Sequence, residues 1–168
     1  MNKSVRKISP LTHVNPAGLP TMVSVADKPI TRRTAVATAT VHLNRDLAAA
    51  IKKNSIRKGR VLEVARLAGI QAAKKTAELI PLCHPIPLES VEVDVHLRGR
   101  QVRIRAAVSA TWKTGVEMEA LTAATVAALT VYDMGKAIDR TIRIDAVELV
   151  EKTGGARGDY FLHRRKTP

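Results

Sequence analysis

The sequence predicts an α+β domain in which helices pack against an antiparallel β-sheet. Apolar and polar residues alternate over residues 91–97 and again over residues 102–108, with Gly99 available for a turn between them. This pattern is typical of a β-hairpin with one polar face. From Met118 onward, apolar residues recur at the spacing of a long amphipathic helix.

The first half of the chain predicts one strand followed by helices. Residues 34–43 alternate in the manner of a strand, and Asn44 is suited to cap a short helix that ends near residue 54. After Gly59 the pattern is helical up to Ile80, and Pro81 ends the helix there. Within it, Gly69 indicates close packing against a neighbouring helix.

The second half adds the hairpin, a long helix and a last strand. The apolar stripe of the long helix, which we expect to face the core, consists of Met118, Leu121, Thr125, Ala128, Leu129 and Tyr132. Residues 142–149 favour a strand with a bulge near Ala146. The order β, α-α, β, β, α, β matches the ferredoxin-like, or split βαβ, arrangement, whose second sheet face needs a partner to cover it.

We expect one compact domain with irregular ends. Residues 1–33 predict an irregular N-terminal arm, residues 34–151 the ferredoxin-like domain that carries the chemistry, and residues 152–168 a basic, Gly-rich tail that contributes to the site. Only 2% of the residues are aromatic, so the core must be filled by Ala, Val, Leu and Ile. Such a domain gains stability from oligomerising.

Composition excludes some classes of protein but does not identify the function. The single cysteine, Cys83, excludes an intrachain disulfide and a multi-cysteine metal cluster, which fits a reducing cytoplasm. No stretch is apolar enough for a signal peptide or a membrane span, so we expect a cytoplasmic protein without a membrane partner. The formal net charge of +13 implies a polyanionic partner. Nucleic acid and a nucleotide triphosphate are equally compatible with this charge. A basic surface that serves only solubility is compatible with it too.

A rigid loop over residues 79–85 places a thiol and an imidazole between two prolines. Rigidity suits a binding site, although an isolated His84 in a turn is more often simply half-buried. Cys83 and His84 are adjacent, so they are poorly placed to act on each other as nucleophile and base. A small cysteine also packs readily.

Charged residues gather at both ends of the long helix. Glu117 and Glu119 lie in its first turns, where carboxylates also simply favour the helix dipole. Asp133 and Lys136 lie on one face of its last turns, either as a weak surface pair or with an ammonium held ready for proton transfer. If other cations lie nearby, the pKa of this lysine falls and it becomes a usable base.

Two basic segments are candidate phosphate sites. Lys58 lies in a cluster of cations between two helices, where its ammonium and free backbone N–H groups can hold a phosphate. Such a cluster is also usual on a solvated face. Lys152 begins a segment of three glycines and two cations that can wrap an anion, although a frayed tail would look the same.

Several motifs together form the pattern of one protein family. They are Ala68-Gly69-Ile70-Gln71-Ala72-Ala73-Lys74, Leu79-Ile80-Pro81-Leu82-Cys83-His84-Pro85, Lys113-Thr114-Gly115-Val116-Glu117-Met118-Glu119-Ala120-Leu121-Thr122-Ala123-Ala124, Tyr132-Asp133-Met134, Gly154-Gly155 and Gly158-Asp159. From about Leu11 to Asp159 the chain resembles the cyclic pyranopterin monophosphate synthases, the molybdenum-cofactor biosynthesis protein C family.

The resemblance implies a ferredoxin-like fold assembled as a homohexamer, a trimer of dimers, with active sites at subunit contacts. It implies the substrate 3′,8-cyclo-7,8-dihydro-GTP, a cyclised GTP intermediate, and the product cyclic pyranopterin monophosphate. The implied enzyme is a lyase that opens the purine imidazole ring, forms the pterin and its third ring, and releases pyrophosphate. No cofactor is obligatory in this reading, and Mg²⁺ accompanying the triphosphate or pyrophosphate stays open.

Carried over by motif, the family's catalytic residues fall on Lys58, Asp133 and Lys136. Our hypothesis is that Lys136 and Lys58 act as acid and base while Asp133 orients Lys136. The substrate-binding positions fall on Leu82, Cys83, His84, Glu117, Met118, Glu119, Lys152 and Arg33. The acids are expected to bind the guanine-derived edge and His84 to act near the opening ring. Arg33 and Lys152 are expected to bind phosphates, and either the same subunit or a neighbouring one can supply Arg33.

Three positions depart from the family pattern. Arg60 stands where an Asp often follows the Lys-Gly pair, and Gly135 replaces a Cys- or Ser-like residue before Lys136. Arg157 lies among residues that are often uncharged or Lys. None of these departures removes a candidate catalytic group. They leave the local geometry around Lys58 undetermined by the family pattern.

Two rival functions remain. A basic ferredoxin-like sheet often binds nucleic acid, yet the aromatic residues that stack bases are limited to Trp112, Tyr132, Tyr160 and Phe161, which argues against this partner. In a non-enzymatic assembly subunit, the loop around His84 and the long helix would serve packing alone.

Overall fold

The computed structural model describes residues 14–15, 17–155 and 158–162. Its elements are β1 Thr31–His42, α1 Arg45–Lys52, α2 Val61–Ala73, α3 Thr76–Leu79, β2 Ser90–Arg98, β3 Gln101–Trp112, α4 Glu117–Gly135, β4 Arg143–Thr153 and β5 Tyr160–Phe161. Residues 1–13 of the predicted arm, Arg157 and the last six residues of the predicted tail lie outside the described residues.

The strands form one antiparallel sheet in the order β2-β3-β1-β4-β5. This order, together with the helices between β1 and β2 and between β3 and β4, confirms the predicted α+β, ferredoxin-like fold. Strand β5 adds to the edge of the sheet beside β4 and was not predicted. At two residues it is too short to show a periodic pattern.

The two faces of the sheet differ in polarity. One face supplies buried residues such as Ala37, Ile104 and Val95 to the core beneath the helices. On the other face the register places Asp94 opposite Arg105, and Arg105 opposite Thr38. The hairpin therefore has the polar face that its alternation predicts.

Small side chains bring helix α4 close to both the sheet and α2. The fully buried alanines of this helix are Ala120, Ala123, Ala124, Ala127 and Ala128. Gly69 of α2 lies against the same surface, and a Cβ atom there would lie 2.9 Å from the carbonyl oxygen of Ala123. The close helix packing predicted from Gly69 is confirmed, and the buried apolar residues are aliphatic, as the composition predicts.

The predicted core stripe of the long helix is right for Ala128, which is fully buried, and for Leu121, which packs against the core, but it is wrong for three larger residues. Met118, Leu129 and Tyr132 are exposed, with 36%, 51% and 38% of their surface accessible. The face rich in alanine packs inward instead, because only small side chains fit the short distance between α4 and its neighbours. An apolar stripe is therefore left on the surface of the chain.

The helix after Gly59 does not continue to residue 80 as predicted. It ends at Ala73, and the short helix α3 follows. The hydroxyl of Thr76 donates to the carbonyl oxygens of Ala72 and Ala73, at 3.3 and 3.0 Å. The break lies at Lys75, whose φ of −110° and ψ of 10° depart from helical values.

The bulge predicted near Ala146 is confirmed. Ala146 has a φ of 49°, and the register of β1 against β4 shifts between Thr38 and Thr40. The sheet also extends beyond residues 34–151, because β1 begins at Thr31 and β4 ends at Thr153. Arg33 takes a buried position in β1, which its charge conceals in the sequence.

Asp139 ties the loop after α4 to the start of α1. Its carboxylate accepts hydrogen bonds from the Asn44 N–H at 2.6 Å, the Thr141 N–H at 2.8 Å and the Thr141 hydroxyl at 2.7 Å. Asn44 caps α1 as predicted, accepting from the Leu47 N–H at 2.8 Å. Burial alone would raise the pKa of Asp139, but these hydrogen bonds outweigh it and the pKa lies below its usual value.

We predict that Asp139→Ala lowers the free energy of unfolding at pH 7 by about 1–3 kcal/mol, because it leaves the partly buried Asn44 N–H without its acceptor. The wild-type contribution exists above the unfolded-state pKa of about 3.9 and is lost as pH falls through the lower folded-state pKa. The difference between the two proteins should therefore shrink in acid. Urea denaturation at fixed protein concentration measures it.

The control is Asp46→Ala, which removes an exposed acid from the first turn of α1. We expect it to cost no more than about 1 kcal/mol. Equal losses for the two variants would contradict the role of Asp139.

Candidate active site

Asp133 contacts two lysines: Lys136, three residues later in the chain, and Lys58, which is distant in sequence. Its Oδ2 lies 2.8 Å from the Lys58 Nζ, and its Oδ1 lies 2.7 Å from the Lys136 Nζ. The Lys58 ammonium also donates to the Asp133 carbonyl oxygen at 2.9 Å. We call these three residues the lysine–aspartate cluster. All three side chains are solvent-exposed, so a substrate can reach them.

The ion pairs hold this cluster in its charged form. Hydrogen bonds from Lys136 and then Lys58 lower the pKa of Asp133 to about 2. The hydrogen bond to Asp133, followed by its charge, raises the pKa of Lys136 above its usual value. The lowered pKa anticipated for a lysine among cations is therefore wrong for Lys136, because the nearest charge is a carboxylate. Lys136 stands ready as an ammonium that can donate a proton.

Gly135 lies close to the core beside Lys136. A Cβ atom at residue 135 would lie 2.6 Å from Cδ2 of Leu47, so the missing side chain leaves room for Leu47 of α1. The departure from the family pattern at this position therefore has a packing reason in this chain. Lys136 follows directly as the C-terminal cap residue of α4.

A second group of candidate residues lies at the start of α4. The Lys152 Nζ is 2.9 Å from the Glu117 Oε1, and both side chains are largely shielded from solvent. A Cβ atom on Gly115 would collide with the Glu117 carboxylate, which explains the glycine in this motif. We call Arg33, Cys83, Glu117, Glu119 and Lys152 the helix-start cluster.

Arg33 contacts three segments around the helix-start cluster: the end of β3, the loop before α4 and the turn after β4. Its Nε donates to the Trp112 carbonyl oxygen at 3.2 Å, and one terminal nitrogen donates to the Lys113 carbonyl oxygen at 3.4 Å. Gly155 lies against the guanidinium, since a Cβ atom there would collide with it. Arg33 is only 8% exposed and has no carboxylate partner among the described residues. A bound anion would neutralise this buried charge.

Glu119 is a buried carboxyl group. Only 3% of its surface is exposed. Burial raises its pKa, its own backbone N–H lowers it by a hydrogen bond, and the charge of Glu117 raises it again, to about 7. Near neutral pH this group can therefore either donate or accept a hydrogen bond, which suits recognition of a ring edge.

The loop that contains Leu82, Cys83 and His84 follows helix α3, and all three residues are half-buried. Burial, and then the charge of Glu119, raises the pKa of the Cys83 thiol. The thiol is therefore protonated at neutral pH and is not an activated nucleophile. The effect of Glu119 on Cys83 places this loop beside the start of α4. Met118 lies in the first turn of that helix and is exposed.

The structure thus divides the candidate residues between the two ends of one helix. Glu117 and Asp133 are sixteen residues apart on α4, which at about 1.5 Å per residue separates their Cα atoms by about 24 Å. A catalytic group must come within hydrogen-bond distance of the atom on which it acts. The two clusters of a single chain therefore cannot both act at the same point of one substrate.

Two residues near the helix-start cluster received no role from the sequence. The Lys113 ammonium donates to the Ala26 carbonyl oxygen at 2.6 Å and links the N-terminal segment to the loop before α4. The Asp159 carboxylate accepts from the Gly154 N–H at 3.0 Å. Both residues lie in motifs that the sequence singled out. Their hydrogen-bond partners, Ala26 and Gly154, could not be predicted from the sequence.

The described residues contain no group of three or more His, Cys, Asp and Glu arranged to hold a metal ion. Nor does any helix in the described ranges have the length and apolar character that crossing a membrane requires. Mg²⁺ accompanying the triphosphate or pyrophosphate, which the sequence left open, stays open.

Comparison with known proteins decides the family. The MoaC family model matches residues 22–155, a range that contains every candidate site residue. The chain belongs to the MoaC family. This confirms the resemblance seen in the sequence motifs.

The MoaC relatives are similar over nearly their whole length. The chain is 53% identical over 152 residues to a protein of Thermomicrobium roseum, covering 89% of this chain and 92% of the relative. It is 52% identical over 155 residues to a protein of a Nostoc species, covering 90% and 91%. A Listeria monocytogenes relative is 50% identical over 151 residues, with 89% and 94% covered. All three are named cyclic pyranopterin monophosphate synthase.

We predict that Glu119→Gln stabilises the protein in mild alkali. An acid with a raised folded-state pKa costs stability above its unfolded-state pKa of about 4.3, and this cost grows until the pH passes the folded-state value. We expect the variant to gain about 1–3 kcal/mol over wild type at pH 8 and almost nothing at pH 4. Urea denaturation across this range measures it.

The matched control is Glu63→Gln on the exposed surface of α2. Its effect should be small and almost independent of pH. A Glu119→Gln difference that does not vary with pH would show that the buried carboxyl ionises normally.

Proposed function

We propose that this chain is a cyclic pyranopterin monophosphate synthase of molybdenum-cofactor biosynthesis. The observation that carries the proposal is the contact of Asp133 with both Lys58 and Lys136 in a MoaC chain. The family motifs single out these three residues independently, and the fold brings them within hydrogen-bond distance. The names of the relatives supply the reaction.

The proposed substrate is 3′,8-cyclo-7,8-dihydro-GTP. The purine imidazole ring opens by hydrolysis, and the pterin and its third ring form. A hydroxyl oxygen then attacks the α-phosphorus, so that a new O–P bond forms and the P–O bond to the β-phosphate breaks. The hydroxyl proton passes to a base, and pyrophosphate leaves with the bonding electron pair. In this proposal the enzyme is a lyase that forms a cyclic phosphate.

The lysine–aspartate cluster supplies the proton transfers. Lys136 is an ammonium in the free protein, so it acts first as the acid. Asp133 orients it through the 2.7 Å ion pair. Lys58 shares the same carboxylate and acts as the second acid–base group. When a triphosphate draws one lysine away, Asp133 still balances the charge of the other.

The helix-start cluster binds the substrate. Glu117 and Glu119 face the guanine-derived edge, where Glu119 can donate or accept near neutral pH. Lys152 and the buried Arg33 attract the phosphates. The loop of Leu82, Cys83 and His84 closes the site beside the start of α4.

We infer that each active site combines two subunits. The separation of about 24 Å along α4 keeps the clusters of one chain apart, so the lysine–aspartate cluster of one subunit would meet the helix-start cluster of another. The exposed apolar stripe of Met118, Leu129 and Tyr132 supports a second copy as the partner. The family resemblance extends this to a hexamer built as a trimer of dimers.

The setting of the reaction completes the proposal. We place the enzyme in the cytoplasm, where its single cysteine stays reduced. Mg²⁺ would arrive with the triphosphate, bound to phosphate oxygens rather than to a dedicated protein site. The prediction that the strands carry no exposed rings is wrong for β5, which consists of the exposed Tyr160 and Phe161. A nucleic-acid function still has little support, because neighbouring residues of a strand point to opposite faces and Trp112 packs against the core, so these rings form no shared stacking surface.

We predict that Lys136→Ala lowers kcat/KM for the cyclised GTP intermediate by about 10²- to 10⁴-fold, the usual contribution of a general acid. Purified protein is supplied with the intermediate, and pyranopterin and pyrophosphate are measured. Lys53→Ala, at an exposed lysine between α1 and α2, is the control and should keep wild-type activity. Normal turnover by Lys136→Ala would refute the acid role.

We also predict complementation between inactive variants. Lys136→Ala and Lys152→Ala impair opposite clusters, so a mixed pair holds one intact site if each site draws on two subunits. Equal amounts assembled at random should recover about a quarter of wild-type activity. Co-refolded mixtures are compared with each variant refolded alone. No recovery would mean that both clusters of one chain serve its own site.

A further inference from the structure

The turn between β4 and β5 is closed by one side chain. The Asp159 Oδ1 accepts from the Gly154 N–H at 3.0 Å, and the Gly158 N–H donates to the Gly155 carbonyl oxygen at 3.2 Å. Gly154, Gly155 and Gly158 have φ values of 84°, 94° and 72°, a region that favours glycine. A turn that contains three glycines has many alternative conformations, so a specific hydrogen bond is needed to favour one of them.

The strand pairing that follows the turn is short. Lys152 pairs with Tyr160, and Glu151 pairs with Phe161. One further backbone bond extends this pairing, from the Leu162 N–H to the Val150 carbonyl oxygen at 2.8 Å. The bond from Asp159, which directly precedes β5, adds a side-chain contact to these few backbone bonds and so helps to hold the turn against β4.

The turn rests on the phosphate-binding residues of the proposed function. A Cβ atom on Gly154 would collide with the Arg32 carbonyl oxygen, and one on Gly155 would collide with the guanidinium of Arg33. Lys152 lies two residues before Gly154 and pairs with Glu117. The pairing of Lys152 with Ala35 of β1 holds the Lys152 backbone independently of the turn, so a shift of the turn would displace the cover of Arg33.

We propose that Asp159 is a positioning residue: its carboxylate oxygen, by accepting from the Gly154 N–H, holds the turn that covers Arg33. This inference rests on the proposed function, because it assigns Arg33 to the phosphates. Asp159 itself is an anion and does not bind phosphate. Its contribution is the acceptor oxygen, which an asparagine can also provide and an alanine cannot.

The experiment measures pyrophosphate binding by titration calorimetry to the full-length wild type, Asp159→Ala and Asp159→Asn. Inorganic pyrophosphate is the product of the proposed reaction and probes the phosphate end without turnover. We expect Asp159→Ala to bind about tenfold more weakly, the effect of one lost hydrogen bond to a charged acceptor. Asp159→Asn should bind as tightly as wild type or more tightly, because it keeps the acceptor and removes a negative charge.

Kinetics with the cyclised GTP intermediate give the second readout. Asp159→Ala should raise KM about tenfold and leave kcat within about threefold, because the lysine–aspartate cluster is unchanged. Amide hydrogen exchange should show that the Gly154 N–H loses protection in Asp159→Ala and keeps it in Asp159→Asn. The control Asp46→Ala should match wild type in all three measurements.

Three results would overturn the inference: wild-type pyrophosphate binding by Asp159→Ala, equally weak binding by Asp159→Asn, or no binding by the wild type. Failure of the proposed function looks different. A wild type that binds pyrophosphate with the expected variant pattern, but does not convert the intermediate, would refute the enzyme activity and support the positioning role.

Discussion

The close packing of helix α4 is the constraint on which the rest of the structure depends. Its alanine face meets the sheet, and Gly69 brings α2 against the same surface. Because interiors packed this densely transmit strain, the helix can neither slide nor rotate without cost. Its two ends therefore stand at fixed positions, and each end carries one cluster of candidate residues. The distance between them is a property of the helix length rather than of any loop.

Several of the cations that give the chain its excess positive charge lie in the two clusters of candidate residues. In the lysine–aspartate cluster two ammonium groups share one carboxylate. In the helix-start cluster Lys152 is paired with Glu117, while Arg33 has only backbone carbonyl oxygens as partners. The lysine–aspartate cluster thus has two cations for one carboxylate, and the helix-start cluster has two cations for two carboxyl groups, of which Glu119 has a pKa raised to about 7. An incoming triphosphate completes an existing charge balance, which favours binding without large rearrangement.

Two aspartates show how similar electrostatics serve different purposes. Hydrogen bonds lower the pKa of both Asp133 and Asp139. Asp139 is buried, and its donors are the backbone of Asn44 and the backbone and hydroxyl of Thr141, so it stabilises the fold. Asp133 is exposed, and its donors are two mobile ammonium groups, so its bonds can be exchanged for bonds to a substrate. Burial and donor type separate the structural acid from the candidate catalytic one.

The amino-acid sequence by itself determined the fold class, the hairpin, the Asn44 cap and the bulge near Ala146, because these follow from local periodicity and turn chemistry. It also determined the family and which residues are candidates, through motifs that are contiguous in the chain. It placed Met118, Leu129 and Tyr132 on the core face of α4, where alanine residues pack instead, since alanine gives a weak hydrophobic signal. Only the tertiary structure decided that Lys58 meets Asp133, that Arg33 and Glu119 are buried, and that the clusters lie at opposite ends of one helix. These facts depend on contacts between residues far apart in sequence and on burial, which no local pattern encodes.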